Sequence, residues 1–171
     1  MESTSAEAVF NQVVDSADRV LKPLGYKRRA LNFRRIDGGY GAIINVQRDK
    51  NNTSTWIRFT VNTGVICGAL LREGRAISDA SEDEAQIRRR IGGYTRHGLD
   101  KWWVVTASTK PDGVIAELSR LLEEKAAPFL EAHLTSAPFR AALVAGRFVD
   151  PSFRTQEELL AAFDRAESKD S

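Results

Sequence analysis

Few side chains in this chain have the type and spacing that catalysis requires. The two histidines are His97 and His133. An acid–base pair would require His97 to meet Asp100, but the surrounding turn residues favour a solvent-exposed loop. His133 falls at a predicted helix C-terminus, where the helix dipole favours a cation without any catalytic role. The histidines therefore indicate no particular reaction.

Other candidate reactive groups have simpler structural explanations. Residues 82–84 are consecutive carboxylates, but they lack the spaced ligands and the glycine of a calcium loop. The glycines of residues 38–41 precede a predicted strand, whereas a phosphate-binding loop must lead into a helix. Cys67 is the only cysteine and has no evident activating base or partner thiol. We therefore predict no catalytic residue, metal site or cofactor. The sequence favours a protein that is not an enzyme without deciding the question.

Side chains suited to non-covalent recognition gather on one face of a predicted sheet. Amides and guanidinium groups supply directional hydrogen-bond donors, and arginine with aromatic rings suits both phosphate contact and protein interfaces. Two structural explanations stay open: a solvated outer face, or amides that bond to one another under a covering loop. Tyr40 is expected near this surface. The predicted binding residues are Arg34, Asn45, Gln47, Trp56, Arg58, Asn62, Arg88 and Arg90.

Three strand-like runs position most of these side chains, over residues 27–36, 42–47 and 56–62. The first run ends at Asp37, Gly38 and Gly39, and glycine adopts the positive φ that tight hairpin turns need. A two-residue turn that starts at either Asp37 or Gly38 gives the same alternation of faces. The predicted apolar face holds Leu31, Phe33, Ala42, Ile44, Val46, Ile57, Phe59 and Val61. The predicted polar face holds Asn32, Arg34, Ile43, Asn45, Gln47, Trp56, Arg58, Thr60 and Asn62.

Hydrophobic periodicity predicts the elements around this meander. An apolar stripe predicts a helix over residues 5–22, with a capping box that begins at Thr4. Bulky and β-branched residues predict a fourth strand at residues 86–91 and a fifth at 102–105. The adjacent residues Trp102 and Trp103 should then point to opposite faces of the sheet. Residues 67–85 are predicted to form a long loop.

The period changes to that of helices over residues 111–167. Pro128 is expected to interrupt the first of these helices, and Thr155 with Glu158 forms a capping box at the start of the last. The predicted fold class is α+β: a single antiparallel sheet of about five strands, preceded by one helix and followed by several C-terminal helices packed on it. We predict a single domain, residues 1–171, with the helix at 5–22, the sheet at 26–105 and the C-terminal helices at 111–167.

Composition limits the compartment and the partners. The chain has 171 residues, of which 42% are hydrophobic and 28% charged, as in ordinary globular domains. No secretory signal or membrane-spanning segment is predicted, and the single cysteine fits a reducing compartment, so we expect the bacterial cytoplasm. Residues 1–110 carry 18 basic against 12 acidic side chains, whereas residues 111–171 carry 7 against 11. The basic part either attracts the acidic helices weakly or meets an acidic partner.

The chain contains a set of segments in a fixed order: residues 24–26 followed by basic residues and Phe33, residues 44–47 and 59–65, and more weakly residues 90–92, 102–103 and 127–130. Together these segments resemble the bacterial domain of unknown function 4304. The resemblance covers roughly residues 9–139, and its strongest part is the pair of strands at 44–47 and 59–65. Residues 81–84 and 88–89 have no counterpart in it. The resemblance implies a fold unit and transfers no activity and no catalytic residue.

The preferred functional hypothesis is a non-catalytic binding or accessory protein that contacts another macromolecule, most readily a protein, with an immunity or defence-locus role as one option. The alternative is an enzyme or binding protein that acts on a nucleotide or nucleic acid through the polar, arginine-bearing sheet face. No membrane partner is expected. The neighbouring gene discriminates between the two, because a toxin or nuclease favours the first hypothesis and a metabolic operon the second. The oligomeric state stays open.

Overall fold

The computed structural model describes residues 5–170, and its first element is the helix α1, Ala6–Leu21. Ser5 caps α1, because its side chain accepts a hydrogen bond from the backbone N–H of Ala8 at 3.0 Å. The predicted capping box begins at Thr4, which lies outside the described residues. A 3₁₀ turn, Lys22–Leu24, and Gly25 at φ 92° end the helix and lead into the sheet.

Six antiparallel strands form one sheet with the order β1-β2-β3-β4-β5. The long strand β4 pairs with both β5 and β6 along the edge opposite β3, through residues 62–65 and 56–59 respectively. The predicted α+β class with one antiparallel sheet is therefore confirmed. The strands are β1 Lys27–Arg29, β2 Asn32–Asp37, β3 Tyr40–Arg48, β4 Trp56–Cys67, β5 Ile87–Arg90 and β6 Trp103–Thr106.

The first predicted run divides into two strands. Arg29 pairs with Asn32, which leaves Ala30 and Leu31 as a two-residue turn with Ala30 at φ 54°. Alanine rarely adopts this left-handed conformation. Because neither of the two turn residues is a glycine or an asparagine, the sequence contains no sign of the turn. The next turn uses Gly38 and Gly39, which is one of the two predicted turns. The third run extends beyond its predicted end, because β4 continues to Cys67.

The predicted apolar face is buried against α1. Phe59 is fully buried, with its ring centroid 5.2 Å from that of Phe10 on α1 and 5.5 Å from that of Trp103 on β6. Leu31 is only partly buried at the margin of this core. The other predicted core residues of the sheet are buried in the same cluster: Phe33, Ala42, Ile44, Val46, Ile57 and Val61.

The C-terminal helices begin where the period changes. Pro128 does not end a helix, because the chain makes a π turn, Leu122–Ala126, just before it and then continues as α3. The wider π turn leaves room for the proline ring, and it tolerates the absence of the backbone N–H that proline lacks. Thr155 and Glu158 form the predicted capping box of α5. The helices are α2 Pro111–Leu121, α3 Ala127–Glu131, α4 Ser136–Val144 and α5 Gln156–Lys169.

Residues 68–85, called the covering segment below, pack on the other face of the sheet. They include three 3₁₀ turns, Gly68–Leu70, Ile77–Asp79 and Glu82–Glu84. Ile43 was predicted on the polar face; it lies there, but Ala80 and Ala85 bury it completely within a second apolar cluster. Glycines make room for this contact: a Cβ on Gly64 would lie 2.6 Å from the Cβ of Ala85. The covering segment therefore encloses one end of the polar face.

Candidate functional site

The strand register aligns a row of polar residues across the open end of this face. Asn32 on β2, Asn45 on β3 and Asn62 on β4 are successive cross-strand partners, and we call these three residues the amide row. Arg29 on β1 continues the row at one side and Arg90 on β5 at the other. Directly paired residues project to the same face, so the register alone brings these side chains together.

Side-chain hydrogen bonds run continuously along the amide row. Asn45 Nδ2 donates to Asn32 Oδ1 at 2.8 Å. Asn62 Nδ2 donates to Asn45 Oδ1 at 3.4 Å and to Gln47 Oε1 at 2.7 Å. Asn62 Oδ1 accepts from Arg90 Nε at 3.1 Å. This bonding explains how asparagine, which strands disfavour, is accommodated on adjoining strands.

Trp102 immediately precedes β6, and two arginines lie against its ring. The guanidinium carbons of Arg58 and Arg90 lie 4.4 and 5.6 Å from the ring centroid. Asp100 Oδ2 accepts from Trp102 Nε1 and from Arg90 Nη1, each at 2.9 Å. Trp102 is partly exposed whereas Trp103 is buried, so the predicted difference between the two tryptophans is confirmed. The arrangement presents a partly exposed aromatic ring held by paired charges.

The carboxylates that pair with Arg58 and Arg90 have lowered pKa values. The hydrogen bond from Trp102 and the charge of Arg90 keep the pKa of Asp100 below its ordinary value. The backbone N–H of Asn51 and the guanidinium of Arg58 likewise lower the pKa of Asp49. Both groups are therefore ionised hydrogen-bond acceptors near neutral pH.

Arg34 and Arg88 serve a different part of the same face. Arg34 donates to the carbonyl oxygen of Ala80 through Nε at 3.3 Å and Nη2 at 2.9 Å. Arg88 forms a bidentate pair with Glu82, with Nε–Oε1 at 2.9 Å and Nη2–Oε2 at 3.1 Å. Ala80 and Glu82 belong to the covering segment. These two arginines therefore hold that segment against the sheet instead of standing free on the surface.

Two aromatic residues stand apart from this cluster. Trp56 is half-buried at the start of β4, opposite Thr106, and among residues 5–170 its side chain has no hydrogen bond or ring contact with another predicted site residue. Tyr40 was expected near the polar face, which is wrong: its hydroxyl donates to Glu167 at 3.3 Å and its ring packs 5.5 Å from Phe139. Tyr40 shares the alternation of Ala42 and therefore faces the apolar side.

A shallow cavity of about 240 Å³ opens beside the amide row. It is lined by Gln47, Asn62, Glu82, Arg88, Arg89, Arg90 and Val149. The cavity thus combines amide, guanidinium and carboxylate groups, each with a hydrogen-bond partner of its own. Such a surface can bind through directional hydrogen bonds, and two of its arginines are paired with carboxylates, Arg88 with Glu82 and Arg90 with Asp100.

Sequence reasoning left three contributors out of the site. Asn32 was placed on the polar face but not among the binding residues, although its alignment with Asn45 follows from the turn at Gly38. Trp102 was expected to differ from Trp103, and the same alternation of faces could have placed Trp102 among the predicted binding residues. Asp100 carried no such signal, because only the folded loop brings it to Arg90.

Residues 5–170 contain neither a metal-binding cluster nor a membrane-spanning helix. They contain no group of three or more histidine, cysteine, aspartate or glutamate side chains placed to hold a metal ion. No helix in the same part of the chain is long and apolar enough to cross a membrane.

Comparison with known proteins gives one match. Residues 17–132 match the model of a family described as a domain of unknown function (DUF4304). No curated protein matches the chain. No solved structure matches it either.

Proposed function

The chain belongs to the DUF4304 family, and from that premise we propose that the protein is a non-catalytic binding protein that contacts another macromolecule. The contact surface is the open end of the polar face. It is formed by Asn32, Asn45, Gln47, Arg58, Arg90 and Trp102, while the buried Asn62 bonds Asn45, Gln47 and Arg90 and holds them in place. The observation that supports this proposal most directly is Trp102, a partly exposed ring with Arg58 and Arg90 packed against it. Tryptophan and arginine are the side chains that dominate the binding energy of many protein interfaces.

The balance of charge favours a protein partner over a nucleic acid. Nucleic-acid affinity depends on cations that are free to neutralise phosphates. Here Arg58 bonds Asp49, Arg90 bonds Asp100 and Arg88 bonds Glu82, each at a closest distance of 2.9 Å. Mixed charges around an aromatic group are typical of a polar interface rim with a central anchor. A nucleotide or nucleic acid remains the second candidate ligand of this face.

The biological role proposed is that of an accessory or immunity protein in a bacterial toxin or defence locus, acting in the cytoplasm as a single domain of residues 1–171. This placement is by analogy with small binding domains. The test is the neighbouring gene together with protection: co-expression with a neighbouring toxin or nuclease should restore growth. A metabolic operon around the gene, or no protection, would contradict this role while leaving the binding surface to be tested separately.

The binding surface is tested by affinity capture with matched variants. Trp102→Ala removes the aromatic ring, and Arg90→Glu reverses a charge in the pair with Asp100. Arg140→Glu is the control, because the Arg140–Asp164 pair has the same exposed fractions as the Arg90–Asp100 pair, 46% and 49%. We expect the wild type and Arg140→Glu to retain the partner, and the two other variants to lose it. The wild-type interaction should weaken as salt rises.

The test also requires the stability of each variant and the chemical class of the captured partner. The free energy of unfolding of Trp102→Ala should lie within about 1 kcal/mol of that of the wild type, because the ring is partly exposed. Arg34 is unsuitable for this test, because its bonds to Ala80 hold the covering segment. Retention of the partner by folded Trp102→Ala and Arg90→Glu proteins would place the interface elsewhere. Capture of nucleic acid instead, with a steep loss of affinity in salt, would support the second candidate.

A further inference from the structure

Strand alternation separates the three basic residues of β1. Lys27 pairs with Arg34 and Arg29 with Asn32, so Lys27 and Arg29 project on the polar face. Arg28 projects to the opposite side, where it donates to Asp15 Oδ1 at 2.7 Å. The β1 edge therefore adds two cations beside Arg34, at the side of the sheet away from Trp102.

A cavity of about 270 Å³ lies between the β1–β2 hairpin and the turn Ile77–Asp79. Lys27, Arg29 and Arg34 line it together with the hydroxyl-bearing Ser78. Arg28 also borders the cavity, but its guanidinium is bonded to Asp15. Ile36, which is 49% exposed, supplies an apolar wall. The cavity thus joins three cationic groups and a hydroxyl to a small hydrophobic surface.

The charges around this cavity are not balanced as they are around Trp102. None of the residues that line it is acidic, and within residues 5–170 neither Lys27 nor Arg29 takes part in an ion pair. Burial and the nearby charge of Arg29 lower the pKa of Arg34, while Asp79 offsets this only in part. The carbonyl of Ala80 fixes the Arg34 guanidinium in place, so the group is positioned before any ligand arrives.

We propose that this cavity binds the phosphate group of a small phosphomonoester. A guanidinium group matches the geometry of phosphate oxygens, an ammonium group adds charge, and the serine hydroxyl adds a further donor. Ile36 contacts the organic part of the ligand, for which a cavity of this size leaves limited room. The site differs from the proposed protein interface in its position on the face and in its ligand.

The site is tested with phosphate probes and residue-matched variants. Inorganic phosphate, ribose 5-phosphate and adenosine 5′-phosphate are titrated at low salt by calorimetry, with ribose, adenosine and acetate as controls. Arg29→Ala and Lys27→Ala remove cations from the exposed strand β1, and Arg165→Ala removes an exposed arginine on α5. We expect saturable binding of the phosphates only, weakened about tenfold by Arg29→Ala and unchanged by Arg165→Ala. The two esters should bind more tightly than inorganic phosphate if Ile36 contributes.

Amide chemical shifts locate the binding. Phosphate should perturb residues 27–36 and 77–80 in the wild type and leave residues 156–169 unchanged. Thermal melting verifies that the β1 variants are folded. The proposal is overturned if no phosphate binds saturably, if folded Arg29→Ala and Lys27→Ala proteins bind as the wild type does, or if the perturbed amides lie away from the hairpin. Equal binding of acetate would show a general anion effect and would also overturn it.

Discussion

Asn62 donates its shorter side-chain hydrogen bond to Gln47, at 2.7 Å, although the residue directly opposite it on β3 is Asn45. The diagonal bond leaves the second amide hydrogen for Asn45 and the carbonyl oxygen for Arg90. Asn62 is only 6% exposed, so water has little access to these groups. This one side chain therefore joins β3, β4 and β5 on the polar face.

Asn62→Ala should lower the free energy of unfolding by about 1–3 kcal/mol, because Gln47 and Arg90 lose a partner at a buried position. Urea denaturation measures the change. Asn11→Ala is the control, since Asn11 is exposed on α1 and alanine favours a helix. Equal stability of Asn62→Ala and the wild type would show that the row contributes little to folding.

Phe59→Ala should cost about 3–5 kcal/mol, because the fully buried ring packs between Phe10 and Trp103. Phe153→Ala makes the same chemical change at a side chain that is 94% exposed and should stay within about 0.5 kcal/mol of the wild type. Chemical denaturation of both variants tests the assignment of the core face. Similar losses in the two proteins would contradict it.

Gly64→Ala should destabilise the protein by about 1–3 kcal/mol, because the added Cβ would lie 2.6 Å from Ala85 and 3.2 Å from the carbonyl oxygen of Ile87. Gly113→Ala on α2 meets nothing within 4 Å and should stabilise by about 0.4–1 kcal/mol. Thermal and urea unfolding should show that the two substitutions change the free energy of unfolding in opposite directions. A neutral Gly64→Ala protein would mean that the covering segment packs less closely than the structure shows.

Stability should fall in acid partly through Glu84. Its hydrogen bonds from Arg75 and from Ser81 lower the pKa of Glu84 from 4.5 to about 2. A carboxylate with a lowered folded pKa contributes stability above the unfolded pKa of 4.5, and this contribution is lost as pH falls towards 2.

Urea unfolding at several pH values compares Glu84→Gln with the wild type. The wild type should be the more stable protein above pH 4.5, and the difference should shrink as the pH falls towards 2. Glu157→Gln, at an exposed position on α5, should show no such narrowing. A difference between Glu84→Gln and the wild type that is constant with pH would contradict the ionic role of Glu84.

Residue alternation was enough to predict both faces of the meander. Phe33, Ile44 and Phe59 are buried together, as period-two patterning requires. The same rule could not place the covering segment, whose contact with the sheet depends on the missing side chain of Gly64. It also could not divide residues 27–36, because Ala30 at positive φ is a turn without its usual sequence signal.

The candidate site was predicted only in part, for a related reason. Arginines in strands were assigned to one surface from their alternation, which is correct for Arg34, Arg58, Arg88 and Arg90. Their partners come from loops that are distant in sequence, such as Ala80 for Arg34 and Asp100 for Arg90. Only those partners show which arginine holds the covering segment and which lies against Trp102.

The amide row also resolves an ambiguity that apolar residues leave in any half-buried sheet. A two-residue slip of β2 against β3 keeps every side chain on its proper face, so hydrophobic burial hardly distinguishes the two pairings. Such a slip, through a turn over Asp37 and Gly38, would set Asn32 opposite Ile43 and separate it from Asn45. The pairing found is the one in which the amides meet. Asn32 and Asn45 therefore select one of two otherwise degenerate alignments, a role that buried polar groups can serve in other folds.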